Sequence, residues 1–342
     1  MASPKAISVA QIGYGYWGTN LARNAAANPQ LSLDLICDVS AANRAKAAAA
    51  HPTARILADS AEVFADATID AVIVVTPAST HAEICQRAIE AGKHVLVTKP
   101  LATSVADAAA MAALAAQHGR TLLIDHTFLY TPAVAFLKQA LAQGDLGKPL
   151  YYDSVRTGLG IFKSDVNIVD DLAIHDIAIL EHLFAELPAT VSATAAASFS
   201  GLRESLAYIT LTYRDGLVAH LAAHWLSPLK QRQVVIAGDA RMLAWDDSRV
   251  GERIRIFDSG ITRTESAVVP GRADVSYRNG EVTVPTLGDT EALAAEMADF
   301  VTCIRSGAVP RASGQSGVRV MRIVAAAHRS AAQGGAPAAI EG

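Results

Sequence analysis

The chain has 342 residues, 51% hydrophobic and 18% charged, so it is long enough for two domains and too apolar to be disordered. Its 29 lysines and arginines against 33 aspartates and glutamates give a net charge of −4. That balance gives no indication of a nucleic-acid or membrane partner. Only 6% of the residues are aromatic and alanine is abundant, so many helices with small apolar faces are expected.

The cysteines and the first residues indicate the compartment. Cys37, Cys85 and Cys303 are odd in number and widely spaced, which argues against a disulfide framework and favours a reducing environment. Met1–Ala10 lacks the apolar core of a signal peptide, and the most apolar run, Ala71–Val75, is too short to span a bilayer. We therefore expect a soluble, cytoplasmic protein.

The first 125 residues alternate short β-branched runs with alanine-rich segments of helical spacing. The predicted strands are Ile7–Ile12, Leu31–Cys37, Ala71–Val75, His94–Val97 and Thr121–Ile124. The predicted helices are Gly18–Asn28, Ala41–Ala50, Thr80–Ala91 and Val105–Gln117, the last with Ser104 as its cap. This alternation is typical of βαβ units, so residues 1–125 are predicted to form a doubly wound parallel sheet of the Rossmann type.

From residue 126 the pattern changes to an α+β domain with a large, mostly antiparallel sheet, predicted over 126–312. The predicted strands are Leu150–Thr157, Thr190–Ser198, Leu206–Tyr213, Leu217–Trp225, Gln233–Ala237, Met242–Trp245 and Ile254–Asp258. The predicted helices are Thr131–Gln143, Asp171–Phe184, Glu291–Arg305 and Gly317–Ala332. The segment 313–333 is expected to pack back on the first domain, and the tail Gly334–Pro337 to fray.

A glycine motif, Gly13-Tyr14-Gly15-Tyr16-Trp17-Gly18, directly follows the first predicted strand and opens a helix. Glycine permits a tight turn and a close approach to a pyrophosphate, which the helix N-terminus then binds. Asp38 ends the second strand twenty residues after Gly18, where a carboxylate binds a ribose 2′-hydroxyl and repels a 2′-phosphate. The motif predicts a dinucleotide site that prefers NAD to NADP; a glycine turn beside a solvated aspartate is the less favoured interpretation.

Two further turns follow predicted strands at the edge where cofactors bind. Thr76-Pro77 precedes His81, which is either a site residue or an ordinary first-turn residue after Thr80 as helix cap. Thr98-Lys99-Pro100 places a lysine where it can reach a nicotinamide or a substrate, although a lysine taken alone is more often a surface residue.

Asp171 and His175 are four residues apart, so on a helix their side chains share one face. A carboxylate beside an imidazole orients the ring and supports its protonated form, as a general base requires. A histidine packed in the core is the ordinary alternative. A metal pair is disfavoured because no third ligand follows at diagnostic spacing, so no metal is expected.

Taken together, these residues resemble the glucose–fructose oxidoreductase, inositol dehydrogenase and rhizopine-catabolism (Gfo/Idh/MocA) family over almost the whole chain. The fullest resemblance is to a branch that includes sugar-nucleotide dehydrogenases. The matching segments are Gly13–Asn24, Lys99-Pro100, His126–Val134, Asp165–Asp176, His224–Arg232 and Ser313–Val324.

The resemblance implies NAD-dependent hydride transfer with a secondary carbinol of a sugar, sugar nucleotide or cyclitol. It implies that Lys99 and His175 flank the carbinol with Asp171 beside them, although either Lys99 or His175 could accept the proton. It also implies an open-faced sheet that mediates a homodimer or homotetramer. A glycosidase that uses bound NAD for transient oxidation and elimination is the alternative enzyme, and a non-catalytic NAD-binding regulator is the alternative outside enzymes.

Arg156, Lys163 and Asn167 are expected to contact substrate, although Arg156 can instead be a charge at a sheet edge. The chain departs from the family pattern at two positions. Thr98 replaces the usual glutamate, which we expect to alter the surroundings of the lysine without abolishing catalysis. Asp170 replaces a bulky apolar residue, and its carboxylate could select a hydroxylated or cationic substrate over an anionic one.

Overall fold

The computed structural model describes residues 5–160, 162–163, 166–184, 186–263 and 275–341. The chain forms two compact units. The first comprises Met1–Thr131 and Thr290–Met321, and the second comprises Pro132–Asp289 and Arg322–Gly342. Each unit has its own β-sheet.

The sheet of the first unit has six strands that pair in parallel in the order β3-β2-β1-β4-β5-β6. The strands are β1 (Ile7–Ile12), β2 (Leu31–Cys37), β3 (Arg55–Leu57), β4 (Ala71–Val74), β5 (His94–Thr98) and β6 (Leu122–Asp125). This order confirms the predicted doubly wound sheet. Its direction of winding reverses between β1 and β4, and ligands bind such folds beyond the carboxyl ends of the strands at that point.

Five helices connect these strands: α1 (Tyr16–Ala27), α2 (Ala41–Ala50), α3 (Ser60–Ala65), α4 (His81–Glu90) and α5 (Val105–Gln117). The α5 N-terminus has the expected cap, since Ser104 Oγ accepts a 3.0 Å hydrogen bond from the Asp107 N–H. Ala108 and Ala112 of α5 are buried in one cluster with Val97 of β5. Small alanine side chains therefore allow this helix to lie close to the sheet.

The second unit contains a nine-stranded sheet in the order β14-β13-β12-β11-β7-β10-β9-β8-β15. Among the described strands only β7 and β10 pair in parallel, which confirms a mostly antiparallel sheet. The strands are β7 (Pro149–Leu159), β8 (Thr190–Ala196), β9 (Leu206–Thr212), β10 (Val218–His224), β11 (Leu226–Gly238), β12 (Met242–Asp246), β13 (Ile254–Arg263), β14 (Val275–Thr283) and β15 (Ala338–Ala339).

Two helices of this unit pack on one another, α6 (Pro132–Ala142) and α7 (Ile174–Leu183). Lys138 of α6 donates through Nζ to the carbonyl oxygens of His182 (2.6 Å) and Leu183 (3.2 Å). The ammonium thereby satisfies carbonyls that the end of α7 leaves without helical partners. The lysine therefore fixes the C-terminal end of α7.

The last two helices are α8 (Ala292–Ser306), which the prediction placed in the second domain, and α9 (Gly314–Ala332), which it expected to pack on the first. Met297 and Phe300 of α8 are buried in one cluster with Val9 and Leu96, so α8 belongs to the first unit. Residues of α9 up to Met321 also belong to that unit, and those from Arg322 onward belong to the second.

The tail does not fray as expected. Ala338 and Ala339 form β15, which pairs with Val191 and Thr190 at the edge of the second sheet. Ser330 Oγ donates to the Ala336 carbonyl at 2.7 Å and holds the intervening turn. Backbone pairing therefore orders a segment whose composition is typical of a flexible end.

Candidate active site

The glycine-rich loop follows β1 and is fixed by close backbone contacts. Gly13 has φ +97°, and a Cβ there would lie 2.2 Å from the Val75 carbonyl oxygen. A Cβ at Gly18 would lie 2.7 Å from the Gly13 carbonyl oxygen. The buried Gln11 amide donates to the carbonyl oxygens of Gly13 and Gly18, both at 2.8 Å. A side chain of β1, outside the glycine motif, therefore holds the loop in place.

Gly15 is the one motif glycine with open space above it, since a Cβ there would meet nothing within 4 Å. It is also the N-cap of α1. With no side chain at this position, the first N–H groups of α1 stay open to a ligand. This open cradle over a helix N-terminus fits the pyrophosphate of a dinucleotide.

Asp38 lies at the end of β2 and faces the same loop. Its carboxylate accepts hydrogen bonds from the Tyr14 N–H (2.6 Å), the Ser40 N–H (2.8 Å) and Asn43 Nδ2 (3.1 Å). A carboxylate offers about four acceptor positions, so capacity remains for a ribose hydroxyl. The Tyr14 ring is buried edge-on against His51, and the group of Tyr14 that bonds to Asp38 is its backbone N–H.

The two aromatic residues of the loop differ in their surroundings. Tyr16 is 90% exposed, whereas Trp17 Nε1 donates a 2.5 Å hydrogen bond to Asp125 at the end of β6. The same carboxylate accepts a hydrogen bond from Thr127 Oγ1. Asp125 was not predicted as a site residue because it belongs to no local motif.

His81 connects the turns that follow β4 and β5. Its buried ring lies with Nδ1 2.8 Å from the Pro100 carbonyl oxygen and Nε2 2.9 Å from the Thr76 carbonyl oxygen. Burial lowers the pKa of His81, and the backbone hydrogen bonds oppose that shift. Thr98 Oγ1 lies 3.4 Å from His81 Nε2, and the Pro77 carbonyl accepts from the Thr80 N–H. His81 thus fixes the geometry of both turns.

Lys99 stands at the end of β5 and is half-buried, and its peptide bond to Pro100 is cis. The charge of Lys99 acts on His126, which is fully buried at the end of β6. Burial, followed by that charge, lowers the pKa of His126 to about 3. The His126 imidazole near the Lys99 ammonium is therefore neutral, because a protonated ring would repel the ammonium.

In the second unit, a π-helical turn over Val169–Ala173 leads into α7, two residues before the predicted start of the helix. Such turns are frequent at functional sites. Asp171 lies in this turn with its side chain mostly buried, and it accepts a 2.7 Å hydrogen bond from Lys163 Nζ. His175 follows four residues later, in the first turn of α7, and is half-buried. Asp165 lies outside the described residues.

Asn167 caps this helical segment. Its Oδ1 accepts hydrogen bonds from the Val169 N–H (2.9 Å) and the Asp170 N–H (3.1 Å). The cap fixes the entry of the chain into the π-helical turn. The predicted contact of Asn167 with substrate stays a prediction beside this structural role.

Arg156 is buried on β7 and donates through Nε (2.8 Å) and Nη2 (2.9 Å) to the carboxylate of Asp176 on α7. The two side chains are only 5% and 3% exposed. Bidentate geometry makes this a strong, directional contact, and Asp176 is the residue next to His175. Arg156 therefore fixes α7 to the sheet beside the predicted base, and its contact with substrate stays a prediction.

Asp170, the departure from the family pattern, is paired within its own unit. Its Oδ1 lies 3.1 Å from Nε2 of His328, on the part of α9 that belongs to the second unit. The hydrogen bond to Asp170 raises the pKa of His328, and burial opposes it; the charges of Asp170 and Glu204 raise it further. The carboxylate therefore already has a cationic partner when His328 is protonated.

Within the residues that the structure describes, no group of three or more His, Cys, Asp or Glu side chains could hold a metal ion. Over the same residues, no helix combines the length and apolar character needed to cross a membrane.

The similarity to known proteins covers segments of both units. Residues 7–126 match a family model described as an oxidoreductase family with an NAD-binding Rossmann fold. Residues 138–340 match the C-terminal alpha/beta domain of the same oxidoreductase family.

Two curated relatives and one solved structure illustrate the similarity. D-apiose dehydrogenase of Paraburkholderia graminis is 27% identical over 87% of this chain and 80% of its own length. UDP-N-acetylglucosamine 3-dehydrogenase of Acidithiobacillus ferrooxidans is 31% identical over 75% of this chain and 76% of its own length. The solved structure of that enzyme superposes with a TM-score of 0.79 and 27% identity, covering 96% of this chain and 98% of the other.

The first prediction concerns the buried pair Arg156–Asp176. Arg156→Met leaves a buried carboxylate without its partner and should lower the free energy of unfolding by about 3–5 kcal/mol. Arg156→Met combined with Asp176→Leu should recover much of that loss. Arg232→Met, which breaks the more exposed pair with Asp247 (3.5 Å), should cost about 1 kcal/mol or less. Urea denaturation measures all three, and equal losses for the two arginine variants would contradict the prediction.

The second prediction concerns the pair His328–Asp170. The pKa of His328 is raised in the folded protein. The stabilisation by its pair with Asp170 is therefore complete below the pKa of the unfolded state, about 6.5, and is lost as pH rises through the pKa of the folded state. His328→Gln should therefore shift the urea midpoint more at pH 5.5 than at pH 9. The loss should be about 1 kcal/mol or less because the pair is partly exposed. In an Asp170→Asn background this pH dependence should become much smaller, because only the weaker effect of the Glu204 charge remains.

Proposed function

Because the chain belongs to the Gfo/Idh/MocA oxidoreductase family, we propose that it is an NAD-dependent dehydrogenase of a sugar-like secondary alcohol. The observation that carries the proposal is the open cradle at Gly15 beside Asp38, in a unit that also presents Lys99 at the end of β5. The relatives named as D-apiose and UDP-N-acetylglucosamine dehydrogenases support the substrate class.

The proposed cofactor contacts come from the loop and the strand ends. The backbone of Gly13–Gly18 and the N-terminus of α1 bind the pyrophosphate, and Asp38 accepts from a ribose hydroxyl. The turns at Thr76-Pro77 and Thr98-Lys99, which His81 connects, form the edge beside the nicotinamide. When bound, NAD supplies the hydride acceptor.

The proposed chemistry requires one group to take the hydroxyl proton and another to stabilise the oxygen. His175 accepts the proton, and the carboxylate of Asp171 favours the imidazolium that results. Lys99 donates a hydrogen bond to the carbinol oxygen as its negative charge develops. An exchange of roles, with Lys99 as the proton acceptor, remains the alternative assignment.

The charges in the second unit favour a neutral sugar or cyclitol over a sugar nucleotide. Two of the basic residues expected at the substrate, Lys163 and Arg156, are each already bonded to a carboxylate. A diphosphate would have to compete with Asp171 and Asp176 for these cations. The carboxylate of Asp170 adds a further negative charge in the same helical segment whenever His328 is neutral.

The third prediction tests this assignment with polyols, aldoses and UDP- or dTDP-sugars, followed as NADH absorbance. Lys99→Ala and His175→Asn should each lower kcat/KM by about 10²–10⁴-fold on the best substrate, because each removes a group that acts in proton transfer or charge stabilisation. Lys46→Ala, an exposed change on α2, is the control and should leave turnover unchanged.

Full turnover by Lys99→Ala would contradict the catalytic assignment. Cleavage of a glycoside without net NADH would favour the oxidation–elimination mechanism. Binding of NAD with no hydride transfer to any compound would favour the non-catalytic regulator.

The fourth prediction concerns cofactor preference. Asp38→Ala removes the acceptor for a ribose 2′-hydroxyl and the charge that repels a 2′-phosphate. KM for NAD should rise by about tenfold or more, and KM for NADP should change less or fall. Glu62→Ala, which removes an exposed acid of α3, is the control. Comparable binding of NAD and NADP by the wild type would contradict the role of Asp38.

A further inference from the structure

A cavity of about 510 Å³ lies in the first unit, at the edge of the sheet opposite the glycine-rich loop. Ile7, Asp70, His94 and Arg120 line it, and they lie at or just before the starts of β1, β4, β5 and β6. Because parallel strands all begin at one edge and end at the other, this cavity is separate from the cofactor loop. Its volume is typical of small-molecule sites.

The hydrogen bonds of His94 determine which ring nitrogen carries its proton. Nδ1 accepts a 3.0 Å hydrogen bond from the Thr121 N–H, so in the neutral ring the proton is on Nε2. Burial and then the charge of Arg120 lower the pKa of His94 to about 4, although the charge of Asp70 opposes this shift. The ring is therefore neutral near pH 7, with Nε2–H as a donor.

Arg120 places further donors against this ring. Its Nη1 lies 3.4 Å from His94 Nε2, so two N–H donors face one another. Its Nε is buried, and within the described part of the chain it has no hydrogen-bond partner. The residue as a whole is only partly buried and lines the cavity, and the planar N–H donors of a guanidinium are suited to contact with carboxylate or phosphate oxygens. Arg120 and His94 therefore both present N–H donors at this cavity.

The charges around the cavity are unequal. Lys5, Lys93 and Arg120 contribute three cations, and Asp70 contributes one carboxylate, which accepts from the Ser8 N–H at 2.9 Å. The Lys93 ammonium is held in place by the Asp66 carbonyl at 2.6 Å and by the Ile69 carbonyl at 2.8 Å. The charge of Asp66 also acts on the Lys93 ammonium, so the cations exceed the nearby carboxylates by one, a balance that favours an anion over a neutral ligand.

The rest of the wall is apolar and suits a compact hydrocarbon or ring body. The apolar lining residues are Ala6, Ile7, Ala67, Ile69, Ala91 and Ile304. We propose that this cavity binds a small organic anion whose carboxylate or phosphate oxygens accept hydrogen bonds from Arg120 and His94 Nε2. The apolar wall then covers the body of the same ligand.

The fifth prediction is tested by calorimetry on the full chain at constant ionic strength, with NAD saturating so that the glycine-rich loop is occupied. The probes are benzoate and phenyl phosphate, with benzyl alcohol as the neutral analogue. At least one anion should bind saturably and the alcohol should not, and the stronger anion identifies the preferred head group. Arg120→Gln should weaken the binding by about tenfold or more, because a charged donor is lost.

Arg87→Gln, the same change on the exposed face of α4, is the matched control and should leave the affinity unchanged. Lys5→Gln, at an exposed position, should weaken anion binding by about two- to fivefold, less than Arg120→Gln does. If Arg120→Gln does not fold, an unchanged affinity of Lys5→Gln overturns the proposal. Three results would overturn the proposal: no saturable binding of either anion, equal weakening by Arg120→Gln and Arg87→Gln, or loss of binding when NAD is added.

Discussion

The close approach of the backbone between the ends of β1 and β4 is the constraint on which the first unit depends. Only glycine can occupy position 13, since its φ is +97° and a Cβ would meet the Val75 carbonyl oxygen. This turn brings the Tyr14 N–H to Asp38 and begins α1 at Tyr16 with an open N-terminus. Gln11 then holds the carbonyls of Gly13 and Gly18 in place.

Periodicity predicted the fold best where a segment has one buried face and clear end signals. Ile7–Ile12, Leu31–Cys37 and Val105–Gln117 have the predicted bounds. Val275–Thr283 was not predicted, because its exposed residues show no alternation and its Asn-Gly pair is typical of a turn. Arg55–Leu57 is too short to show any period. The pattern in α8 identified a helix, but its contacts with distant strands decide its unit.

The sequence predicted which residues belong to the site, but it did not predict which partners their side chains contact. The sequence places two charged residues, Arg156 and Asp170, on the segments around the predicted base His175. Their partners, Asp176 and His328, lie 20 and 158 residues away, beyond the range of any local pattern. The pairs Arg156–Asp176 and Lys163–Asp171 disfavour a diphosphate substrate, because each of these cations is already bonded to a carboxylate.

A buried carboxyl shows how α8 contributes chemistry as well as packing. Glu296 is 0% exposed, and burial, then the charge of Asp125 and a hydrogen bond to it, raise its pKa well above the usual range, as does the charge of Asp299. A neutral Glu296 adds no second negative charge beside Asp125, whose carboxylate accepts the hydrogen bond from the Trp17 indole. Two side chains outside the motif thus hold the glycine-rich loop: Gln11 bonds to the carbonyls of Gly13 and Gly18, and Asp125 bonds to the Trp17 indole.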